Sequence, residues 1–153
     1  MLLIIYCKCK GYFNCIRKEF SKLFLFNNGD CSCQTVGIYY EVAEFYMKNG
    51  QLEDALDHHK EALFILKQRF PPNHYVIAKA LMTIAETHAE IAKLHFVPSD
   101  DHPGMWRSRP IDHINIIEYL SQAKQIYGQH IAPTHPKMLS IQQRIELSRY
   151  ILR

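Results

Sequence analysis

The five cysteines are the residues of this chain best suited to bind a metal, and all of them lie within residues 1–33. Four thiolates are enough for a tetrahedral zinc site, although closed sites pair their ligands as Cys-x(2–4)-Cys more often than as Cys-x-Cys. Two interpretations therefore stay open, a zinc site and a set of unligated thiols, and we assign no metal and no other cofactor. The candidate ligands are Cys7, Cys9, Cys15, Cys31 and Cys33.

The position of the cysteines also bears on the cellular compartment. An odd number of them, confined to one end, is not the pattern of a secreted, disulfide-stapled domain. The apolar residues 1–6 are interrupted at once by Lys8 and Lys10, which leaves a run shorter than the core of a signal peptide. No apolar run approaches the length of about 20 residues that a membrane span needs. We therefore expect a cytoplasmic protein without a membrane partner.

Nine histidines raise the question of a catalytic site. The chain has no His-Glu-x-x-His motif, no nucleophile at usable spacing from a base and an orienting acid, and no glycine-rich phosphate loop. We therefore expect no enzymatic activity. His59 and His88 lie on apolar helix faces and are predicted to be buried with their hydrogen bonds satisfied. Four others are predicted to be exposed: His58, His95, His102 and His113.

The net charge of +3 comes from residues 1–33, which hold five basic and two acidic groups, so that the rest of the chain is balanced. Binding to nucleic acid needs Lys and Arg residues gathered along one face of a domain or one helix. The neutral remainder offers no such patch. The sequence therefore excludes nucleic acid as a partner.

Apolar residues recur at intervals of three and four along most of the chain, which is the spacing of one helix face. Gly50 is predicted to end the first helix, and Asn73 and Thr134 are predicted to cap the N-termini of two later ones. Residues 1–34 lack this periodicity and are predicted to be irregular, and residues 93–111 form a polar insertion. Five helices are predicted, at about 36–49, 52–70, 74–93, 112–131 and 134–152.

The sequence repeats internally, which is typical of stacked helical units. Three pairs of residues match at a shift of 61: Ala62 with Ala123, Pro72 with Pro133, and His74 with His135. A further pair, Ala43 with Ala85, matches at a shift of 42. The difference between the two shifts equals the length of the insertion at residues 93–111. Two repeats with a 42-residue period therefore fit, the second interrupted by the insertion.

These repeats resemble tetratricopeptide repeats. The matching residues are Tyr39, Val42, Ala43 and Tyr46 in the first helix and Ala55 and Ala62 in the second. Small residues are needed there because the two helices of a hairpin approach closely only where side-chain bulk is absent. The resemblance implies an all-α fold, an α-solenoid of about five helices in antiparallel hairpins over residues 35–152, after an irregular N-terminal segment.

The 42-residue period is similar to that of kinesin light chains and of the C-terminal helical domain of SET-and-MYND lysine methyltransferases. In the second family a Cys-x-Cys zinc segment precedes the helices, and Cys7-Lys8-Cys9 resembles that segment. Cys15 departs from it, because a Cys-x-Cys-x-x-Cys spacing is expected. Two classes of function follow: a non-catalytic interaction scaffold, and a fragment of such a methyltransferase that is inert alone.

In the family of tetratricopeptide repeats, one face of the first helix of each hairpin contacts the ligand, so the resemblance implies a protein or peptide partner. The corresponding residues are Tyr40, Glu44 and Met47 in the first hairpin and Lys79, Met82 and Glu86 in the second. Trp106, next to Arg107 in the insertion, is a further candidate, because Trp and Arg are frequent hot-spot residues. Two alternatives stay open: this face packs against other domains of a longer parent chain, and the insertion folds back on its own hairpin.

Overall fold

The computed structural model describes residues 31–98 and 106–153, and most of these residues are helical. The helices are α1 (Cys31–Lys48), α2 (Leu52–Arg69), α3 (Tyr75–Leu94), α4 (Pro110–Tyr127) and α5 (Pro136–Ile151). Two short strands, β1 (Phe96–Pro98) and β2 (Trp106–Ser108), follow α3 in the chain. The predicted all-α fold with five helices is confirmed for the described residues. Tyr39–Arg153 form one compact unit, and the packing described below lies within it.

The first helix begins at Cys31, inside the segment predicted to be irregular, and is closed by a glycine turn. Gly50 has φ +74°, in the left-handed region that side chains with a Cβ disfavour. Its amide donates to the carbonyl of Met47 at 3.1 Å, and the amide of Gln51 donates to that of Tyr46 at 2.9 Å. This pair of hydrogen bonds is a Schellman motif. The predicted role of Gly50 is confirmed.

Histidines, and not the predicted residues Asn73 and Thr134, cap α3 and α5. Nδ1 of His74 accepts a hydrogen bond from the amide of Val76 at 3.3 Å, and Nδ1 of His135 accepts one from the amide two residues on at 3.1 Å. Both histidines have extended backbone, as N-cap residues do. The predictions failed because a neutral imidazole nitrogen can reach the second helical amide as the side-chain oxygen of Asn or Thr does.

The two turns that precede α3 and α5 have the same backbone hydrogen bonds, at the predicted shift of 61. In the first pair, Phe70 N donates to Leu66 O and Ile131 N to Tyr127 O, both at 2.9 Å. In the second pair, His74 N donates to Pro71 O at 2.9 Å and His135 N to Ala132 O at 3.0 Å. The matching sequence therefore forms matching turns.

Helix α3 lies at the centre of the described packing, since it contacts both α2 and α4, and α4 in turn contacts α5. The interior face predicted for α3 is confirmed in full, because all of its members are buried: Ile77, Ala78, Leu81, Ile84, Ala85, His88, Ile91 and Ala92. Nε2 of His130, just after α4, lies 2.6 Å from the carbonyl oxygen of Asn73, just before α3. The end of α4 therefore lies beside the start of α3, and the two helices are antiparallel.

The insertion is shorter than predicted and begins and ends as a β-hairpin. β1 and β2 are antiparallel, with Val97 opposite Arg107 and Pro98 opposite Trp106. The amide of Arg109 donates to the carbonyl of His95 at 3.2 Å and continues the ladder to the ends of the helices. The pairing gives hydrogen-bond partners to backbone amide and carbonyl groups, which an irregular loop would leave to water.

Helix α4 also differs from its predicted bounds, because it starts at Pro110 and ends at Tyr127 and does not reach residue 131. Past that point the hydrogen bonds tighten to the spacing of a 3₁₀ turn, with Gln129 N donating to Ile126 O at 3.1 Å. Gly128 follows the last helical residue and favours this change, because glycine weakens a helix.

Candidate interaction surface

Three residues of α1 are predicted to bind a partner protein, and they differ in their surroundings. The ring of Tyr40 is half-buried with its centroid 5.5 Å from that of His59, and this burial raises the pKa of the phenol. Glu44 is exposed and pairs with Lys48 at 2.8 Å. The hydrogen bond from Lys48 lowers the pKa of Glu44. Met47 is half-buried. Tyr40 therefore serves in packing, and Glu44 and Met47 remain accessible.

The three residues predicted on α3 lie on one accessible face of that helix. Lys79 and Glu86 are exposed and Met82 is half-buried. The carboxylate of Glu86 accepts a hydrogen bond from Nη1 of Arg144 in α5 at 3.0 Å. Among the described residues, no hydrogen bond, ion pair or ring contact joins the predicted residues of α1 to those of α3. The structure therefore connects the α3 group to α5.

Two residues of α5 extend this face and were missed by the sequence analysis. Leu147 and Tyr150 are 59% and 76% exposed. At the shift of 61 Leu147 corresponds to Glu86, which lies on the predicted binding face, and Tyr150 corresponds to Ala89, about one turn further along α3. Applying the shift to the fifth helix would have found them. We call the resulting surface the interaction face, and it comprises Lys79, Met82, Glu86, Arg144, Leu147 and Tyr150.

Trp106 is the first residue of β2, and its side chain lies outside the described part of the structure. The structure describes the base of the hairpin that carries Trp106, where β1 and β2 adjoin the helices. The carboxylate of Asp112, with a side chain 5% exposed, accepts hydrogen bonds from Nε of Arg109 at 3.2 Å and from Nη2 at 3.3 Å. Nη2 of Arg109 also contacts Nδ1 of His95. This clasp of His95, Arg109 and Asp112 joins the end of α3 to the start of α4.

The predicted zinc ligands, which are the five cysteines, have no described side chains. Cys7, Cys9 and Cys15 lie outside the described residues, and Cys31 and Cys33 are in the first turn of α1 with side chains that also lie outside the description. Within residues 31–98 and 106–153, no three His, Cys, Asp or Glu side chains come close enough together to hold a metal ion. The zinc interpretation stays a prediction.

Two histidines predicted to be exposed are buried. His58 and His113 are each 6% exposed. The ring of His58 stacks on Tyr46, with centroids 5.2 Å apart, and lies 5.9 Å from the ring of Tyr39. The prediction considered the apolar stripe of α2 alone, whereas the aromatic side chains of α1 cover the flank of that stripe. His95 is half-buried, and His102 lies outside the described residues.

His59 and His88 are buried as predicted, but the prediction that their hydrogen bonds are satisfied is wrong. Among the described residues, neither ring nitrogen of His59 has a hydrogen-bond partner, and neither does Nδ1 of His88. The neighbouring helices present aromatic rings to them, and Tyr119 stacks on His88 at 5.6 Å. Burial, with a smaller contribution from the charge of His58, lowers the pKa of His59 to about 4. Burial also lowers the pKa of His88. Both rings therefore pack as neutral groups.

The chain was compared with models of known protein families and with curated protein sequences, and it matches none of them. In the described part of the chain, no helix has the length and apolarity that crossing a bilayer requires.

Proposed function

We propose that the chain is a non-catalytic protein-interaction module, a short stack of tetratricopeptide-like hairpins that binds an extended segment of a partner protein. The observation that carries the proposal is the exposure of Leu147 and Tyr150 beside the Glu86–Arg144 ion pair. Large apolar side chains next to charged ones on a surface are typical of protein-binding sites.

The composition of the interaction face indicates the kind of segment that fits. Met82, Leu147 and Tyr150 supply apolar contacts, and the flexible methionine adapts to different side chains. Lys79 is exposed at one end of the face. A segment with apolar side chains and at least one carboxylate is complementary to this arrangement. The proposed location is the cytoplasm, on the evidence of the cysteine pattern.

The experiment is an array of peptides of about twelve residues, roughly 40 Å long when extended, probed with the full chain. Peptides that bind are then tested against the Leu147→Asp and Tyr150→Asp variants. We expect each variant to weaken binding at least about tenfold, or ~1.4 kcal/mol, because a carboxylate replaces an apolar contact.

Phe64→Asp is the matched control, because Phe64 on α2 is 59% exposed, as Leu147 is, and lies outside the interaction face. Circular dichroism checks that all variants stay helical. The proposal is wrong if no peptide binds, or if the Phe64 variant loses as much binding as the other two.

A further inference from the structure

A groove of about 520 Å³ lies between α4 and α5, and residues of these helices and of the turn after α4 line it. Met138 and Ile145 supply its apolar floor. Lys124 of α4 and Gln142 and Arg149 of α5 form its polar walls, and the ammonium group of Lys124 donates a hydrogen bond to the side-chain oxygen of Gln142.

The corresponding residues of α3 are covered by α4. At the shift of 61 the four α5 residues of the groove have these counterparts in α3: Met138 and Ile77, Gln142 and Leu81, Ile145 and Ile84, Arg149 and His88. The ring of Tyr119 in α4 stacks on His88, with centroids 5.6 Å apart. Ile126 of α4 borders a cavity of about 420 Å³ together with Ile77 and Leu81 of α3 and Lys67 of α2. Helix α4 therefore lies beside α2 and α3 in the place that no described helix takes beside α4 and α5.

The burial of individual residues distinguishes two sides of each helix: a first side that is buried in both α3 and α5, and a second side that is buried in α3 alone. Four corresponding pairs are buried in both α3 and α5: Ile77 and Met138, Ala80 and Ile141, Ile84 and Ile145, Thr87 and Ser148. Three further α3 residues are buried while their α5 counterparts are polar and accessible: Leu81 and Gln142, Ala85 and Glu146, His88 and Arg149. Among the helices of residues 31–98 and 106–153, none covers the second side of α5 as α4 covers the second side of α3.

The residues of the open groove specify what can fill it. Lys124 stands where α2 has Leu63, and Arg149 stands where α3 has His88. Arg149 is paired with Glu146 at 3.1 Å, whereas within the described part of the chain the ammonium group of Lys124 contacts only the neutral amide of Gln142. A helix seated here gains from apolar residues over the floor and from carboxylates that face the two cations.

We propose that the α4–α5 groove binds an amphipathic helix of a partner protein, with acidic residues on its contacting face, in the position that α4 takes on α3. The inference rests on the proposed function, because it names a second mode by which the module binds a protein. Two arguments carry it: the correspondence of the groove residues with the α3–α4 interface at the shift of 61, and the complementarity of carboxylates to Lys124 and Arg149.

The test uses the full chain and synthetic 18-residue peptides built on the sequence of α4, the helix that already packs in this manner. In α4, Tyr119 stacks on His88 and Gln122 borders the same cavity as Leu81. The counterparts of His88 and Leu81 in the groove are Arg149 and Gln142. The acidic probe therefore carries Tyr119→Glu and Gln122→Glu, which place carboxylates opposite these two residues. In the matched probe the same two positions carry Tyr119→Lys and Gln122→Lys. Fluorescence anisotropy is expected to show binding of the acidic probe at least tenfold tighter than that of the basic probe.

Charge reversal in the protein is the second arm of the test. Lys124→Glu and Arg149→Glu are each expected to weaken the acidic probe at least fivefold and to strengthen the basic probe. Lys93→Glu is the control, because Lys93 is an exposed cation at the end of α3, outside the groove. It is expected to leave both probes unchanged.

Several results overturn the proposal. They are failure of the acidic probe to bind, equal binding of the two probes, or equal effects of the Lys93 and Lys124 variants. A dimer of the chain in sedimentation equilibrium that dissociates with Lys124→Glu also overturns it, because a second copy would then fill the groove. If these tests fail while Tyr150→Asp still abolishes binding of array peptides, the proposed function stands and only the groove assignment falls.

Discussion

Helices α3 and α5 occupy corresponding places in the internal repeat, and both begin at a histidine cap. They differ in what surrounds them, since α3 packs between α2 and α4 while α5 packs against α4. The residue types follow this difference, because Leu81 and His88 of α3 become Gln142 and Arg149 of α5. One helical frame thus serves as an inner layer or as an outer layer, according to the polarity of its second side.

Core truncations give the largest expected contrast between the two helices. Ile84→Ala on α3 should reduce the free energy of unfolding by about 4 kcal/mol, and Ile145→Ala on α5 by about 2 kcal/mol, since the cost depends on how well the site can relax around the cavity. Both residues are nearly inaccessible, at 0% and 3% exposed, but Ile145 borders an open groove. Urea unfolding measures both values. Equal losses would mean that the second side of α5 is as well covered as that of α3.

We expect acid to lower the stability of the protein through the buried histidine His59 of α2 and not through residues of α5. The pKa of His59, about 4 in the folded chain, is below its ordinary value of 6.5. The unfolded chain therefore binds more protons between these pH values, so the stabilising contribution is complete above about pH 6.5 and is lost as the pH falls toward 4. We expect His59→Leu to remove up to about 3 kcal/mol of this pH dependence.

Arg149→Leu is the control on α5, at the position that corresponds to His88. Because this substitution leaves His59 in place, the variant should unfold with the same pH dependence as the parent. Thermal melts from pH 7 to pH 4 make the comparison. An unchanged slope for the His59 variant would show that this imidazole is not held neutral by burial.

Removal of the caps tests the common feature of the two helices. His74→Ala and His135→Ala should each lower stability by about 1 kcal/mol, the usual cost of losing an N-cap. His74 should cost somewhat more, because its ring also stacks on Phe70 at 4.6 Å. Asn73→Ala and Thr134→Ala are the matched controls and should cost little. If the control substitutions lower stability more than the histidine substitutions do, then Asn73 and Thr134 are the capping residues.

The smallest expected effect belongs to the ion pair that joins the two helices. A double-mutant cycle with Glu86→Gln and Arg144→Gln should give a coupling below about 1 kcal/mol that weakens with salt, because both side chains are accessible to water. The separation of the charged atoms is 3.0 Å. The Glu44–Lys48 pair within α1 is more exposed and provides the comparison for a pair open to water. A coupling of several kcal/mol would mean that the interaction face is closed to water.

Local signals predicted most of the helical architecture. Gly50, the proline-containing turns and the apolar spacing of α3 act through neighbouring residues, so they can be read from one stretch of sequence. The histidine caps could not be found in this way, because the usual rules weigh side-chain oxygens and overlook imidazole. The identical placement of His74 and His135 in the repeat was the available sign.

Burial across helices was harder to predict than helices themselves. His58 is covered by Tyr39 and Tyr46 of another helix, and His113 lies next to the buried Asp112 of the clasp. Neither environment follows from the face of a single helix. The candidate site shows the same limit, since Glu86 meets Arg144 only because α3 and α5 are brought together in the fold.

The clasp of His95, Arg109 and Asp112 has a consequence for how this chain tolerates change in length. Because the clasp and the β1–β2 ladder close the hairpin at its base, the spacing of α3 and α4 does not depend on how many residues the hairpin carries beyond the strands. We therefore expect α3 and α4 to keep their register when the number of residues between β1 and β2 is changed.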